Sequence, residues 1–229
     1  MLEAFALYES LLWEPRSGYF LLERHMQRLA GSAAHFGFAL DLEDARARLA
    51  EFAASLPPRP RKVRLELSAD GAIALEHVDA KPSSPVHVAV AAMPVDSADE
   101  FLRHKTSRRG VYERALASRP GAQDVLLWNE RRELTETCAA NLVLEIDGRR
   151  LTPPISSGLL PGTFRCHLLE RGEIGEAVLS VDAIERASGL FMINSVRRWC
   201  ELRLPDRVLT SDHERGSKRK STMPGGTGS

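Results

Sequence analysis

Residues 62–78, KVRLELSADGAIALEHV, constrain the fold more than any other stretch of the chain. Apolar and polar side chains alternate on both sides of a tight Ala-Asp-Gly turn, and a period of two means strands with one face turned to a core. A chain that alternates, turns and alternates again folds back as an antiparallel hairpin. Its apolar face then needs a cover, which the upstream sequence supplies. In ERHMQRLAGSAAHFGF, Met26, Leu29, Ala33 and Phe36 recur at helical spacing ahead of Gly37, and DLEDARARLAEFAASL reads as a second helix closed by Pro57 and Pro58. Before them, FALYESLLW and GYFLLE are apolar runs separated by the turn signal EPRSG, which predicts a first hairpin. Hairpin, helix, helix, hairpin makes a small α+β layer. The expected first domain is 1–84.

DAKPSSP interrupts this pattern, and the strand-like VHVAVAAM after it opens a larger domain expected over 85–210. There the sequence predicts helices in KTSRRGVYERALASRPG, GTFRCHLLERG and DAIERAS, and strands in DVLLW, NLVLEI, LFMINS and CELRL. EAVLSV reads as a strand or sheet edge, and IDGRR as a turn. The glycine-rich, basic tail 211–229 is expected to be disordered. The sequence shows no internal repeat.

Charge and cysteine content exclude several classes of function. The 31 Lys and Arg balance the 31 Asp and Glu, so no net positive field recruits nucleic acid or an anionic membrane. The expected partner is a small molecule. Cys138, Cys166 and Cys200 are odd in number and lack CxxC spacing, which argues against a disulfide framework and a metal site. No apolar run approaches the ~18 residues of a membrane span, and MLEAFALYES lacks the pattern of a signal peptide. The reading is a cytoplasmic protein.

The chemistry turns on an acid and an amine. Lys105, in FLRHKTSRRG, stands among His104, Arg108 and Arg109. Such a cluster is ordinarily a solvated face, yet neighbouring cations also lower an amine's proton affinity, so that it can attack a carbonyl and form a Schiff base. Glu136, in ELTETCAANL, is an exposed strand end on the plain reading and an anionic partner for a pyridine nitrogen on the other. A phosphate would need helix-start N–H groups, hydroxyls and a guanidinium. Gly162 and Thr163 in LLPGTFR, Asn194 and Ser195 in FMINSVR, and Arg28 in RHMQRL offer them, although a helix cap, a turn and a surface charge explain each alone.

Taken in order, RHMQRL, HKTSRR, ELTETCAANL, LTPP, GLLPGTFR and MINSVR resemble the class IV pyridoxal-phosphate-dependent enzymes, which include branched-chain and D-amino-acid aminotransferases and 4-amino-4-deoxychorismate lyase. The resemblance covers about residues 5–204; its most specific part is the spacing of Glu136 and Asn141, followed by G-x-x-R at Gly162 and Arg165. HKTSRRGVYERAL, DVLLWNERRELTE and GLLPGTFR are most similar to the lyase domain fused behind aminodeoxychorismate synthase.

The resemblance implies the α+β architecture of fold type IV, a small domain beside a larger barrel-like one, and a homodimer with a possible synthase partner. It makes Lys105 the Schiff-base lysine and Glu136 the partner of the pyridine nitrogen. Arg28, Thr163 and Ser195 match phosphate positions with Asn194 beside them, and Ser10 matches a hydroxyl suited to proton handling. Asn141 is expected to hold the glutamate strand. Arg108, Arg109, Arg197 and Arg198 are candidates for the substrate's carboxylates. The sequence departs from the family in two places. It begins at the FALYES strand, as a fusion-type domain or fragment would, and Val143 stands where an aromatic is usual.

Overall fold

The computed structural model describes residues 4–205, so the tail expected to be disordered lies outside the described residues. The first 79 residues give β1 (Leu7–Glu14), β2 (Gly18–Tyr19), α1 (Leu22–Phe36), α2 (Leu42–Ala54), β3 (Arg61–Leu67) and β4 (Ile73–Asp79). The strands form an antiparallel sheet in the order β2-β1-β3-β4. Leu7, Leu11, Val63, Leu65 and Leu67 share its apolar face and pack with Met26, Leu29 and Ala33 of α1 and Ala45 and Leu49 of α2. Gly37 ends α1 at φ 70°, as the sequence predicts. The second arm of the first hairpin is shorter than expected, because Leu21 at φ 56° breaks the strand and α1 starts one residue later.

The opposite face of this sheet is fixed by the same register. Ser10 pairs with Arg64 and Arg64 with Glu76; one row on, Leu12 pairs with Lys62 and Lys62 with Val78. Directly opposed residues share a face. Tyr8, Ser10, Lys62, Arg64 and Val78 therefore stand together, away from the helices.

The second sheet contains β5 (Val86–Val90), β6 (Asp124–Trp128), β7 (Leu134–Thr137), β8 (Asn141–Ile146), β9 (Arg149–Thr152), β10 (Gly175–Glu176), β11 (Gly189–Asn194) and β12 (Arg198–Arg203). β7 pairs back onto β8 and so closes six strands, β8-β11-β12-β5-β6-β7, into a barrel. Its core includes Leu126, Leu134, Leu142, Leu144 and Met192. The β8–β9 hairpin turns at Asp147 and Gly148, both at positive φ, which suits a two-residue loop. α3 (Gly110–Ala117) and α4 (Thr163–Glu170) complete the regular helices.

Three local expectations change. EAVLSV contributes only the end of the two-residue β10, and DAIERAS winds largely into a 3-10 turn over Val181–Arg186. α3 begins at Gly110 rather than Lys105 because the chain before it pairs with β1: the Tyr8 N–H donates to the Lys105 carbonyl at 3.0 Å and the Ser107 N–H to that of Ala6 at 2.8 Å. Lys105 is thus held in an extended segment against the first sheet.

Candidate active site

A cavity of about 490 Å³ opens between the two sheets. The polar face of the small sheet supplies Tyr8, Ser10, Lys62 and Arg64; the barrel side supplies Glu136, Asn141, Gly162, Thr163 and Ser195. Lys105 and Arg109 reach the cavity from the segment paired with β1.

The Lys105 amine lies 4.6 Å from the centre of the Tyr8 ring. Burial lowers its proton affinity; Tyr8 works against that, while Arg28 and Arg109 add to it. Tyr8 shows the reverse balance. Burial pushes its phenol up, but Lys105, Arg109 and Arg64 outweigh it and lower the phenol below its usual value. Arg109 donates to the Tyr8 hydroxyl at 3.2 Å and to the Cys138 carbonyl, and its guanidinium lies 4.4 Å from the Tyr112 ring centre.

Glu136 is 4% exposed, on β7 opposite Asn141 of β8. Neutral groups meet its two oxygens: the Tyr112 hydroxyl donates to Oε1 at 2.9 Å and the Asn141 amide to Oε2 at 3.3 Å. Burial pushes its carboxyl up to about 8, against the smaller pull of Tyr112, Lys105 and Arg109. A carboxylic group kept in such a place calls for a cation or a donor from the cavity. Asn141 also donates to the Leu160 carbonyl at 2.8 Å, which ties β8 to the loop before α4.

Beneath this loop lies a buried relay that begins on the other face of β1. Glu9, 1% exposed, receives Nε and Nη2 of Arg28 at 2.8 and 2.5 Å and faces His25 Nδ1 at 2.6 Å. Burial raises the Glu9 carboxyl, but Arg28 and His25 prevail and hold it at about 2. Arg28 also donates to the Pro161 carbonyl at 3.3 Å, and His25 Nε2 lies 3.2 Å from Thr163 Oγ1. One carboxylate therefore aims a guanidinium and, through the imidazole, a hydroxyl at the start of α4, where the first N–H groups lack helical partners.

The remaining candidates divide. Ser10 and Ser195 meet at the cavity wall, where the Ser195 hydroxyl donates to the Ser10 carbonyl at 3.3 Å. Asn194 lines the cavity, but its Oδ1 accepts from Val196 and Arg197 N–H groups at 3.0 and 2.8 Å, so it shapes the turn. Arg197 lines the cavity and is exposed. Arg108 does not line it: its guanidinium stacks 4.1 Å from the Phe101 ring centre, which corrects the expectation that it meets substrate. Arg198 likewise turns away, to Glu14 at 3.0 Å and the Phe20 ring. Arg165 is buried and donates to the Pro153 carbonyl at 2.8 Å and to Glu176, holding α4 from behind. Val143 is buried among Phe164, Leu168 and Ile193, so the departure from an aromatic falls in the core and not in the cavity.

Tyr8, Glu9, His25 and Tyr112 are the site residues the sequence reading passes over. His25 and Arg28 are one helical turn apart in RHMQRL, a spacing that puts both on one face of α1. Tyr8 and Ser10 alternate on one strand, which places both on the same side.

Residues 6–203 match the amino-transferase class IV family. The chain belongs to that family. Members of the class IV family depend on pyridoxal phosphate. A Schizosaccharomyces pombe protein named "Putative aminodeoxychorismate lyase" is 30% identical over 206 residues, covering 85% of this chain and 87% of its own. A crystal structure of a "Putative amino-acid aminotransferase" from Mesorhizobium loti superposes with a TM-score of 0.82 at 34% identity, over 88% of this chain and all of the other. 4-Amino-4-deoxychorismate lyase from Pseudomonas aeruginosa shares the fold at a TM-score of 0.74 and 22% identity, over 89% of this chain and 84% of its own. Among the described residues, no helix is long and apolar enough to cross a membrane.

Proposed function

We propose that this class IV enzyme is a pyridoxal-phosphate-dependent lyase that converts 4-amino-4-deoxychorismate to 4-aminobenzoate and pyruvate. One observation carries the reading. Lys105, Glu136 and the Ser10 hydroxyl line a single cavity whose wall has seven cationic side chains and two carboxylic ones. That excess suits an anionic cofactor together with a dicarboxylate substrate.

The donor set fits the cofactor. Arg28, Thr163, Ser195 and the free N–H groups at the start of α4 would hold its phosphate. Gly162 leaves room there for Asn141, since a Cβ would come within 1.9 Å of Asn141 Oδ1 and force that side chain or α4 to shift. Glu136, buried and met only by neutral donors, would hold the protonated ring nitrogen. When bound, the cofactor supplies an electrophilic carbon for amines and a ring that stores the charge left by a departing proton.

The chain's own groups handle the proton. Lys105 Nζ, kept short of protons by burial and neighbouring cations, accepts it from the amine-bearing carbon of the substrate. Ser10, on the same wall, relays it towards the leaving enolpyruvyl oxygen. Tyr8 and the Cys138 carbonyl keep Arg109 turned into the cavity.

A second reading, amino-acid transamination, is favoured by the 34% identity to the Mesorhizobium loti protein. The two differ in co-reactant. The lyase releases pyruvate and 4-aminobenzoate in equal amounts from aminodeoxychorismate with no keto acid added. Absence of pyruvate, with brisk amine exchange between a branched-chain amino acid and 2-oxoglutarate, overturns the lyase reading. Borohydride reduction of the loaded protein should place the cofactor's mass on Lys105. The same reading carries a cytoplasmic homodimer, to be checked by light scattering, and possible assembly with an aminodeoxychorismate synthase.

A further inference from the structure

The cavity wall holds more positive charge than the cofactor's phosphate and one carboxylate would use, and the surplus is not evenly spread. Arg28 is fastened to Glu9, and Arg109 to Tyr8 and the Cys138 carbonyl. Arg64 is paired with Glu66 at 2.7 Å and Glu76 at 3.7 Å. Asp79, the acidic residue at the outer wall, is taken by Arg59 at 3.0 Å and by Arg61. Apart from Lys105 and the tethered Arg109, the cavity cations without an ion-pair partner among the described residues are Arg197, on the barrel side between β11 and β12, and Lys62 and Lys81 beside the small sheet.

Their position follows from the sheet. Lys62 sits directly opposite Val78, one row beyond Ser10, Arg64 and Glu76 on the same face, and Lys81 lies three residues past Val78. Val78 is 57% exposed and lines the cavity beside them. An exposed apolar side chain on the same cavity wall as two lysines without ion-pair partners matches a short apolar fragment that ends in a carboxylate. Both lysines are exposed, whereas Glu136 is buried, so this corner is the outer end of the cavity.

We propose that Lys62 and Lys81, together with Val78, form a subsite for the second carboxylate of the substrate, the one on the carboxyvinyl ether arm. The assignment rests on the lyase reading for the identity of the substrate, and it makes the small sheet the part of the enzyme that selects dicarboxylates. The subsite acts on binding and leaves the proton transfer at Lys105 alone.

The test uses the cofactor-loaded enzyme and two probes. 4-Amino-3-(carboxymethoxy)benzoate carries the second carboxylate; 4-amino-3-methoxybenzoate lacks it. By calorimetry the unaltered enzyme should bind the first at least tenfold more tightly, and the advantage should shrink as salt screens the exposed lysines. In K62M/K81M it should fall below threefold, while affinity for the methoxy probe stays within twofold. Arg186→Met, which removes an exposed charge outside the cavity wall, should leave the advantage intact. No advantage in the unaltered enzyme, or an undiminished one in K62M/K81M, overturns the subsite. A lysine-dependent advantage without pyruvate release from aminodeoxychorismate upholds the subsite and sinks the lyase reading. Pyruvate release with an undiminished advantage does the reverse.

Discussion

Glu136→Gln should flatten the pH dependence of stability in the cofactor-free protein. Burial holds this carboxyl near 8 in the folded state, against an ordinary 4.5, so between those values the folded chain binds a proton that the unfolded chain releases. Stability must then fall as pH rises from about 4.5 to about 8 and level off above it. At ~1.4 kcal/mol per pH unit the whole span sets an upper limit of roughly 5 kcal/mol, of which about two thirds is spent by pH 7. The glutamine has no proton to lose. It does set an amide against Asn141 or Tyr112, which costs about 1–3 kcal/mol at every pH. The two stability curves should therefore cross, with the variant weaker near pH 5 and stronger near pH 8.5. Urea unfolding of both proteins, stripped of cofactor, measures this across pH 5–9. Parallel curves would refute the reasoning, since they would mean that Glu136 titrates alike folded and unfolded. Added pyridoxal phosphate should reverse the order at high pH, because only the carboxylate gains a cationic ring partner.

Glu9→Gln leaves Arg28 and His25 without their shared anion; it should destabilise the fold by ~3 kcal/mol and weaken cofactor binding, measured by denaturation and by equilibrium dialysis. Gly162→Ala drives a methyl into Asn141 Oδ1, so either Asn141 lets go of Leu160 and Glu136 or α4 shifts. The expected loss is about 1–3 kcal/mol in thermal unfolding together with lower cofactor retention. Tyr8→Phe keeps the ring beside Lys105 and removes the acceptor that aims Arg109; KM should rise roughly tenfold with kcat little changed, the pattern of a lost binding contact.

How much was legible beforehand depended on whether the signal was local. The hairpin at 61–79 and α1 with its Gly37 stop write their periods and turns into contiguous residues, and both appear where the sequence puts them. The barrel was legible only as a row of strands. β7 and β9 have four residues each, too few for a period to emerge, and the closure of β7 onto β8 is a pairing that no single segment encodes. The start of α3 shows the same limit: KTSRRG has helix-compatible composition, but hydrogen bonds to β1, about a hundred residues away, hold it extended. Arg108 fell to a similar cause, because a cation next to the key lysine in sequence lies over Phe101 in space.

The site's dependence on β1 also explains why its supporting residues escaped notice. Along that strand Tyr8 and Ser10 face the cavity, while Glu9 between them points into the helix layer and is buried against His25 and Arg28. Read as sequence, Tyr-Glu-Ser is an unremarkable piece of alternation with an acid on what should be the apolar face. A buried acid in that position costs several kcal/mol unless paired, so its survival requires cations on α1. The pairing in turn fixes a guanidinium at the loop before α4. A single strand thus serves both halves of the site: its cavity face supplies the groups beside Lys105, and its core face supplies the charge that orients Arg28 and, through His25, Thr163 at the start of α4. Shifting β1 by one residue would exchange the two sets and abolish both, which makes the antiparallel register of Ser10 with Arg64 a functional constraint as much as a structural one.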